Sequence, residues 1–170
     1  MTWLTPATKK KILNLAVFQV GWIVCVLGGD LYAIAYTLVA LLVHHHFVRE
    51  RNSEWSLVAI VTVVGCLWDI LMVQTGMISY ADSGLLGIPV WLICIWVLFA
   101  TTFMHGLAWL NRYLWISAVL AAALGPASYW FGASLSEANF GTPILTSLLV
   151  MACGWAALFP AGIYLTRRYQ

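Results

Sequence analysis

Charge is what this chain has least of. Only eight Lys and Arg and six Asp and Glu occur in 170 residues, 8% of the chain. A soluble domain carries about 25%. With 63% of residues hydrophobic, a water-facing globule of this size has too little interior to hide them. Chemistry-bearing motifs are also lacking. There is no GxxxxGK phosphate loop, so no ATPase of its own. There is no HExxH, no GxSxG and no paired aspartates, so the common metalloprotease and serine-hydrolase signatures are excluded. The four cysteines, Cys25, Cys66, Cys94 and Cys153, form no CxxC and read as small residues at helix contacts. No repeat relates the two halves, which argues against an inverted-repeat transporter. The composition leaves room for one domain only.

What is present is apolar sequence in long runs. A membrane helix needs about 20 mostly apolar residues. Six runs qualify: 12–29, 31–47, 55–75, 88–110, 113–131 and 143–166. Gly28, Gly29 and Asp30 separate the first two and predict a tight antiparallel hairpin. The expected fold is all-α, a polytopic bundle of six transmembrane helices. Lys9, Lys10 and Lys11 before the first run look like a secretory leader, but no convincing cleavage site follows, so an uncleaved first helix is expected.

The charges then sort by side. Lys9, Lys10, Lys11, Arg49, Arg51, Arg112, Arg167 and Arg168 all fall on one side of a six-span arrangement. The opposite links hold only Asp30, Asp82 and Glu137. Basic residues mark the cytoplasmic side, so both termini are expected in the cytoplasm. Six of the ten tryptophans, Trp3, Trp55, Trp91, Trp109, Trp115 and Trp130, lie near predicted span ends, at headgroup level. Trp22, Trp68, Trp96 and Trp155 lie deeper, where they can face lipid or line a pocket.

Ionisable groups inside a bilayer cost about 2.5–3.5 kcal/mol on insertion scales. Asp69 is the leading candidate for function. It lies six residues before Thr75, about 9 Å from the outer end of its helix. The small neighbours Gly65 and Cys66 point its face toward another helix. Two readings compete, a ligand-anchoring carboxylate and a hydrogen-bonded tie between helices. Gly125, Pro126, Ser128, Tyr129 and Gly132 crowd the same depth. Pro126 leaves the Ala122 carbonyl without its helical donor. With Trp68, Gln74 and Trp91 these residues suggest a pocket open to the outer leaflet. The expected ligand contacts are Asp69, Gln74, Ser128 and Tyr129 for polar groups, and Trp68 and Trp91 for apolar ones.

A second polar layer lies at the inner side: Asn14, His44 and His105. His105 shares a predicted helical face with Thr101, Thr102 and Trp109. His44, His45 and His46 point about 100° apart on a helix, so one ion cannot readily take all three. A metal would need further ligands, such as His105 beside His44. No metal site and no cofactor is assigned. Asp69 and His105 are separated by about 14 Å along the normal of a ~30 Å core, which argues against a direct acid–base pair.

Several stretches together carry a family resemblance: Asn14 to Trp22; Trp68-Asp69-Ile70-Leu71; Pro89-Val90-Trp91-Leu92; Phe99-Ala100-Thr101-Thr102; His105 to Leu110; and Gly125-Pro126-Ala127-Ser128-Tyr129 with Gly132. The chain resembles the bacterial integral-membrane family called domain of unknown function 2878. Where that pattern often reads Asn-His-Ser, this chain has Met104-His105-Gly106. The resemblance implies a small multi-span protein of the bacterial inner membrane. It also implies an association with enzymes that modify fatty acyl chains.

The leading expectation is a protein that binds or handles a hydrophobic ligand, a lipid or fatty acyl chain, as an accessory to membrane-lipid modification. The alternatives are a substrate-binding transporter subunit, an intramembrane enzyme using His105, and a scaffold for other membrane enzymes. Membrane lipids, and enzyme or transporter subunits, are the expected partners; nucleic acid is not.

Overall fold

The computed structural model describes residues 5–81, 84 and 86–169. Trp3 and Asp82 lie outside the described residues. The chain is all-α apart from one short strand pair. The elements are α1 (Pro6–Val43), α2 (Glu54–Gln74), β1 (Ile78–Tyr80), α3 (Val90–Ala100), α4 (Leu114–Leu135), β2 (Ala138–Phe140) and α5 (Ile144–Leu165). Among the described residues, four helical segments are long and apolar enough to cross a membrane. Their outward faces are apolar, with Leu31 76% exposed and Leu27, Trp115 and Leu145 also exposed. That surface suits lipid and not water.

α1 begins on Thr5, whose side chain accepts from the Thr8 amide at 3.2 Å. Pro6 takes the first turn, where its missing N–H is no loss. At Gly29 the backbone leaves helical geometry, with φ 70° and ψ −170°, a conformation that favours glycine. In a straight helix Val17 and Tyr36 would lie about 28 Å apart along the axis. Instead the Tyr36 hydroxyl donates to the Val17 carbonyl at 2.8 Å. The run therefore folds back on itself at Gly29, as the Gly28-Gly29-Asp30 turn predicts. Asp30 at the tip accepts from the Trp91 amide at 2.9 Å. This satisfies one of the orphan donors at the start of α3 and pins the hairpin to that helix.

α3 is central. Its Cys94 and Leu98 pack with Cys25, Ala33 and Ala40 of α1. Its Trp96 and Leu92 pack toward Trp68 of α2 and Trp155 of α5. α4 pairs closely with α5. A methyl group on Gly125 would meet the Trp155 ring at 2.4 Å, so the small residue sets how near α5 approaches. α4 runs through Pro126 without a break.

One predicted span is corrected. The run 88–110 does not form one helix: α3 ends at Ala100, residues 101–107 form turns, and a 3₁₀ segment Ala108–Arg112 follows. The Thr101 and Thr102 hydroxyls donate back to the carbonyls of Leu98 and Phe99 at 2.7 and 2.6 Å. Asn14 of α1 clasps the turn. Its Nδ2 donates to the Thr101 carbonyl at 3.2 Å, and its Oδ1 accepts from the Gly106 amide at 3.2 Å. Irregular backbone at membrane depth is tolerated where protein buries and satisfies it. Thr101, Thr102, Phe103 and His105 are all buried. His105 therefore lies on a turn and does not share a helical face with Thr101, Thr102 and Trp109.

The two links 76–87 and 132–142 meet. β1 and β2 pair antiparallel, with Ser79 opposite Asn139. At the other end, Arg167 holds Asn111 through Nε to Oδ1 at 2.6 Å and Nη2 to the backbone carbonyl at 2.8 Å. Lys10 of α1 lies 3.2 Å from Glu50.

Candidate functional site

A cavity of about 710 Å³ opens between the first arm of α1 and α4. These two helices touch each other at few points, because α1 packs on α3 and α4 on α5. Phe18, Trp22, Trp96, Phe99, Trp155 and Phe159 give it aromatic walls. Phe99 sits at the centre of these rings, 5.4 Å from Phe18, 5.7 Å from Trp155 and 5.8 Å from Phe159 between centroids. The lining on α4 runs from Leu120 to Leu135, about 23 Å at 1.5 Å per residue. At one end the cavity reaches Ile78, Tyr80 and Ala138 of the strand pair; at the other it reaches Leu107 and Trp109. Tyr80 meets Trp91 edge-on at 5.7 Å at the strand end. Burial first, and the Asp69 carboxylate second, hold the Tyr80 phenol well above its ordinary range, so it stays a neutral hydroxyl.

The sequence-predicted contacts divide here. Trp91, Ser128 and Tyr129 line the cavity. Ser128 donates its hydroxyl to the Gly125 carbonyl at 2.7 Å. Asp69, Trp68 and Gln74 do not line it. Asp69 is fully buried behind the wall. Its Oδ2 accepts from Trp96 Nε1 at 2.5 Å, and its Oδ1 accepts from the Tyr129 hydroxyl. Both donors line the cavity, so the carboxylate orients two wall residues from behind and ties α2 to α3 and α4. The Trp96 ring lies over Gly65, where a methyl group would meet it at 2.1 Å. Trp68 lies over Gly154 of α5 in the same way. Gln74 reaches the Leu86 carbonyl at 3.4 Å, in the outer link. Of the deeper tryptophans, Trp22, Trp96 and Trp155 line the cavity and Trp68 does not. The α1 wall adds Gln19 to the cavity, together with Trp22, which the sequence leaves between lipid and a pocket. Its polar-poor face carries no distinguishing signal until α3 and α4 are placed against it.

The inner layer is a separate cluster. A π turn, His44–Val48, ends the second arm of α1 and turns His44 inward, while His45 and His46 are exposed. Glu54, the first residue of α2, points at it. Glu54 Oε1 accepts from the amides of Glu50 and Arg51 at 2.8 and 3.0 Å. Its Oε2 lies 2.8 Å from His105 Nε2 and 3.4 Å from His44 Nε2. The three side chains are 3–6% exposed. Asn14, the third predicted member of this layer, holds the turn that carries His105. Glu54 was missed from sequence. The available signal was a carboxylate, one of two with Glu50 in the link after the three histidines, at the start of the third apolar run. Asp69 and His105 belong to different clusters.

The chain matches the family described as Protein of unknown function (DUF2878) over residues 11–161. No curated protein and no solved structure matches it.

Proposed function

The chain belongs to this family, Protein of unknown function (DUF2878), and from that premise we propose that it binds a long apolar ligand, such as the acyl chain of a lipid, in the cavity between α1 and α4. The observation that carries this reading is the cavity itself. Its ~710 Å³ falls within the 300–1,000 Å³ of ordinary ligand pockets, and its walls are aromatic and aliphatic along most of α4. Polar groups sit sparsely, at Gln19, Tyr80, Thr102, Ser128, Tyr129 and Ser136, as suits a long hydrocarbon with a small polar head. A gap between two lipid-facing helices lets a chain enter sideways from the bilayer.

In this reading the protein is a six-span protein of the bacterial inner membrane. The fold-back at Gly29 makes two spans of α1, and α3 with its turn makes the fourth. The basic end faces the cytoplasm, and the strand pair faces the other side. Handling an acyl chain fits an accessory role in membrane-lipid modification.

The test is native mass spectrometry of the full chain purified from membranes, followed by lipid extraction. The expected result is an acyl lipid retained in near-stoichiometric amount. Ala127→Trp and Ser128→Leu, both on the cavity wall, are expected to reduce it several-fold while the protein remains folded. Retention of no lipid beyond the general annulus, or retention in both variants equal to the parent's, overturns the reading. A substrate-binding transporter subunit would use the same cavity but would show a specific uptake defect on deletion.

A further inference from the structure

The geometry points to a divalent transition-metal site, of the zinc class, formed by His44, Glu54 and His105. Their ligand atoms lie within 4.8 Å of one another. Two imidazole nitrogens and one carboxylate oxygen are a donor set that such ions take. Metal–ligand bonds of 2.0–2.2 Å place tetrahedral ligand atoms roughly 3.3 Å apart. The 3.4 Å between Glu54 Oε2 and His44 Nε2 already has that length. The 2.8 Å between Glu54 Oε2 and His105 Nε2 needs to open by about half an ångström, as the hydrogen bond gives way to the ion.

A second observation singles out a ligand over a plain polar tie. His44 is 4% exposed, and among the described residues neither of its ring nitrogens makes a well-formed hydrogen bond, Nε2 standing 3.4 Å from Glu54 Oε2. A buried imidazole left unpaired is costly, and a metal ion would use the lone pair on Nε2. The carboxylate is also oriented from behind. Both amides that hold Glu54 Oε1 come from the short link before α2, an outer-shell arrangement that aims Oε2 at the two rings. Three protein ligands leave a position open for water or a substrate group. None of the three lines the acyl cavity, so this inference stands or falls independently of that reading.

The experiment uses the full chain in detergent or nanodiscs, stripped with chelator and titrated with Co²⁺ and then Zn²⁺. The expected result is one Co²⁺ per chain, with the visible absorption of a low-symmetry nitrogen and oxygen site, displaced by one Zn²⁺. His44→Ala removes a long 3.4 Å contact with Glu54 but leaves the other two side chains paired, and gel filtration checks that the protein stays folded. Its Co²⁺ affinity should fall by more than the about 10–100-fold that outer-shell losses cost. Glu54→Gln should behave likewise. The His45→Ala/His46→Ala double variant should bind as the parent does. Absence of stoichiometric binding to the parent, binding that survives His44→Ala in folded protein, or binding lost with His45 and His46 instead would each overturn the site.

Discussion

Asn14 in α1 donates to the backbone carbonyl of Thr101, 87 residues away, at 3.2 Å. The same side chain accepts from the Gly106 amide, so one amide group bridges both ends of the break after α3. Asn14→Leu leaves a buried carbonyl and a buried N–H without partners. The expected loss is about 1–3 kcal/mol per orphaned group, read as a lower melting temperature in detergent. Asn14→Asp keeps the acceptor and loses the donor, so it should fall between the two. Equal stability of all three proteins would show that the turn does not need the clasp.

Asp69 is expected to act through Trp96 and Tyr129. Asp69→Asn keeps the size but leaves one of the two donors without an acceptor, at a cost of about 1–3 kcal/mol. Tyr129→Phe removes that donor. Combined with Asp69→Asn, it should cost less than the sum of the single changes, with a coupling of roughly 0.5–3 kcal/mol. Strict additivity in a double-mutant cycle would argue that the contact carries no energy.

Gly65→Ala tests the wall differently. The added methyl would meet the Trp96 ring at 2.1 Å, in a helix otherwise improved by alanine. Overpacking should win, at about 1–3 kcal/mol, and should displace Trp96 from Asp69. A neutral or stabilising effect would mean that α2 and α3 can separate freely.

Sidedness is open to cysteine labelling on a background with the four native cysteines replaced. Ser79→Cys and Asn139→Cys lie on the exposed strand pair and should react with an impermeant thiol reagent added to intact spheroplasts. Arg168→Cys, at the exposed basic end, should react only after the membrane is opened. The reverse pattern would invert the orientation, and labelling of all three sites from outside would break the six-span arrangement.

Much of the architecture was readable in the chain. Gly28, Gly29 and Asp30 announced the hairpin because a positive-φ glycine between two apolar runs leaves few alternatives. The expectation that the basic residues share one side rests on six apolar runs of about 20 residues, which would fix the parity of every link. Gly65 and Gly125 signalled close helix contacts for the same reason anywhere, since a missing side chain lets a ring approach. The break after Ala100 was hidden, because Thr101, Thr102 and Gly106 all occur within continuous membrane helices, and the partner that stabilises the break lies in α1.

The sequence by itself determined the helical class, the apolar exterior and the hairpin. Each follows from local hydrogen bonding and transfer free energy, which act over one turn or one span. It also kept Asp69 apart from the histidines, and the structure places them in separate clusters. Only the tertiary structure decided what each polar group faces. Asp69 proved to stand behind the cavity wall, Glu54 joined His44 and His105, and α1 supplied the missing side of the cavity. Those outcomes depend on the rotation of helices about their axes and on contacts between distant segments. Apolar helices in lipid carry little record of that rotation, because lipid and neighbouring helix accept the same residues.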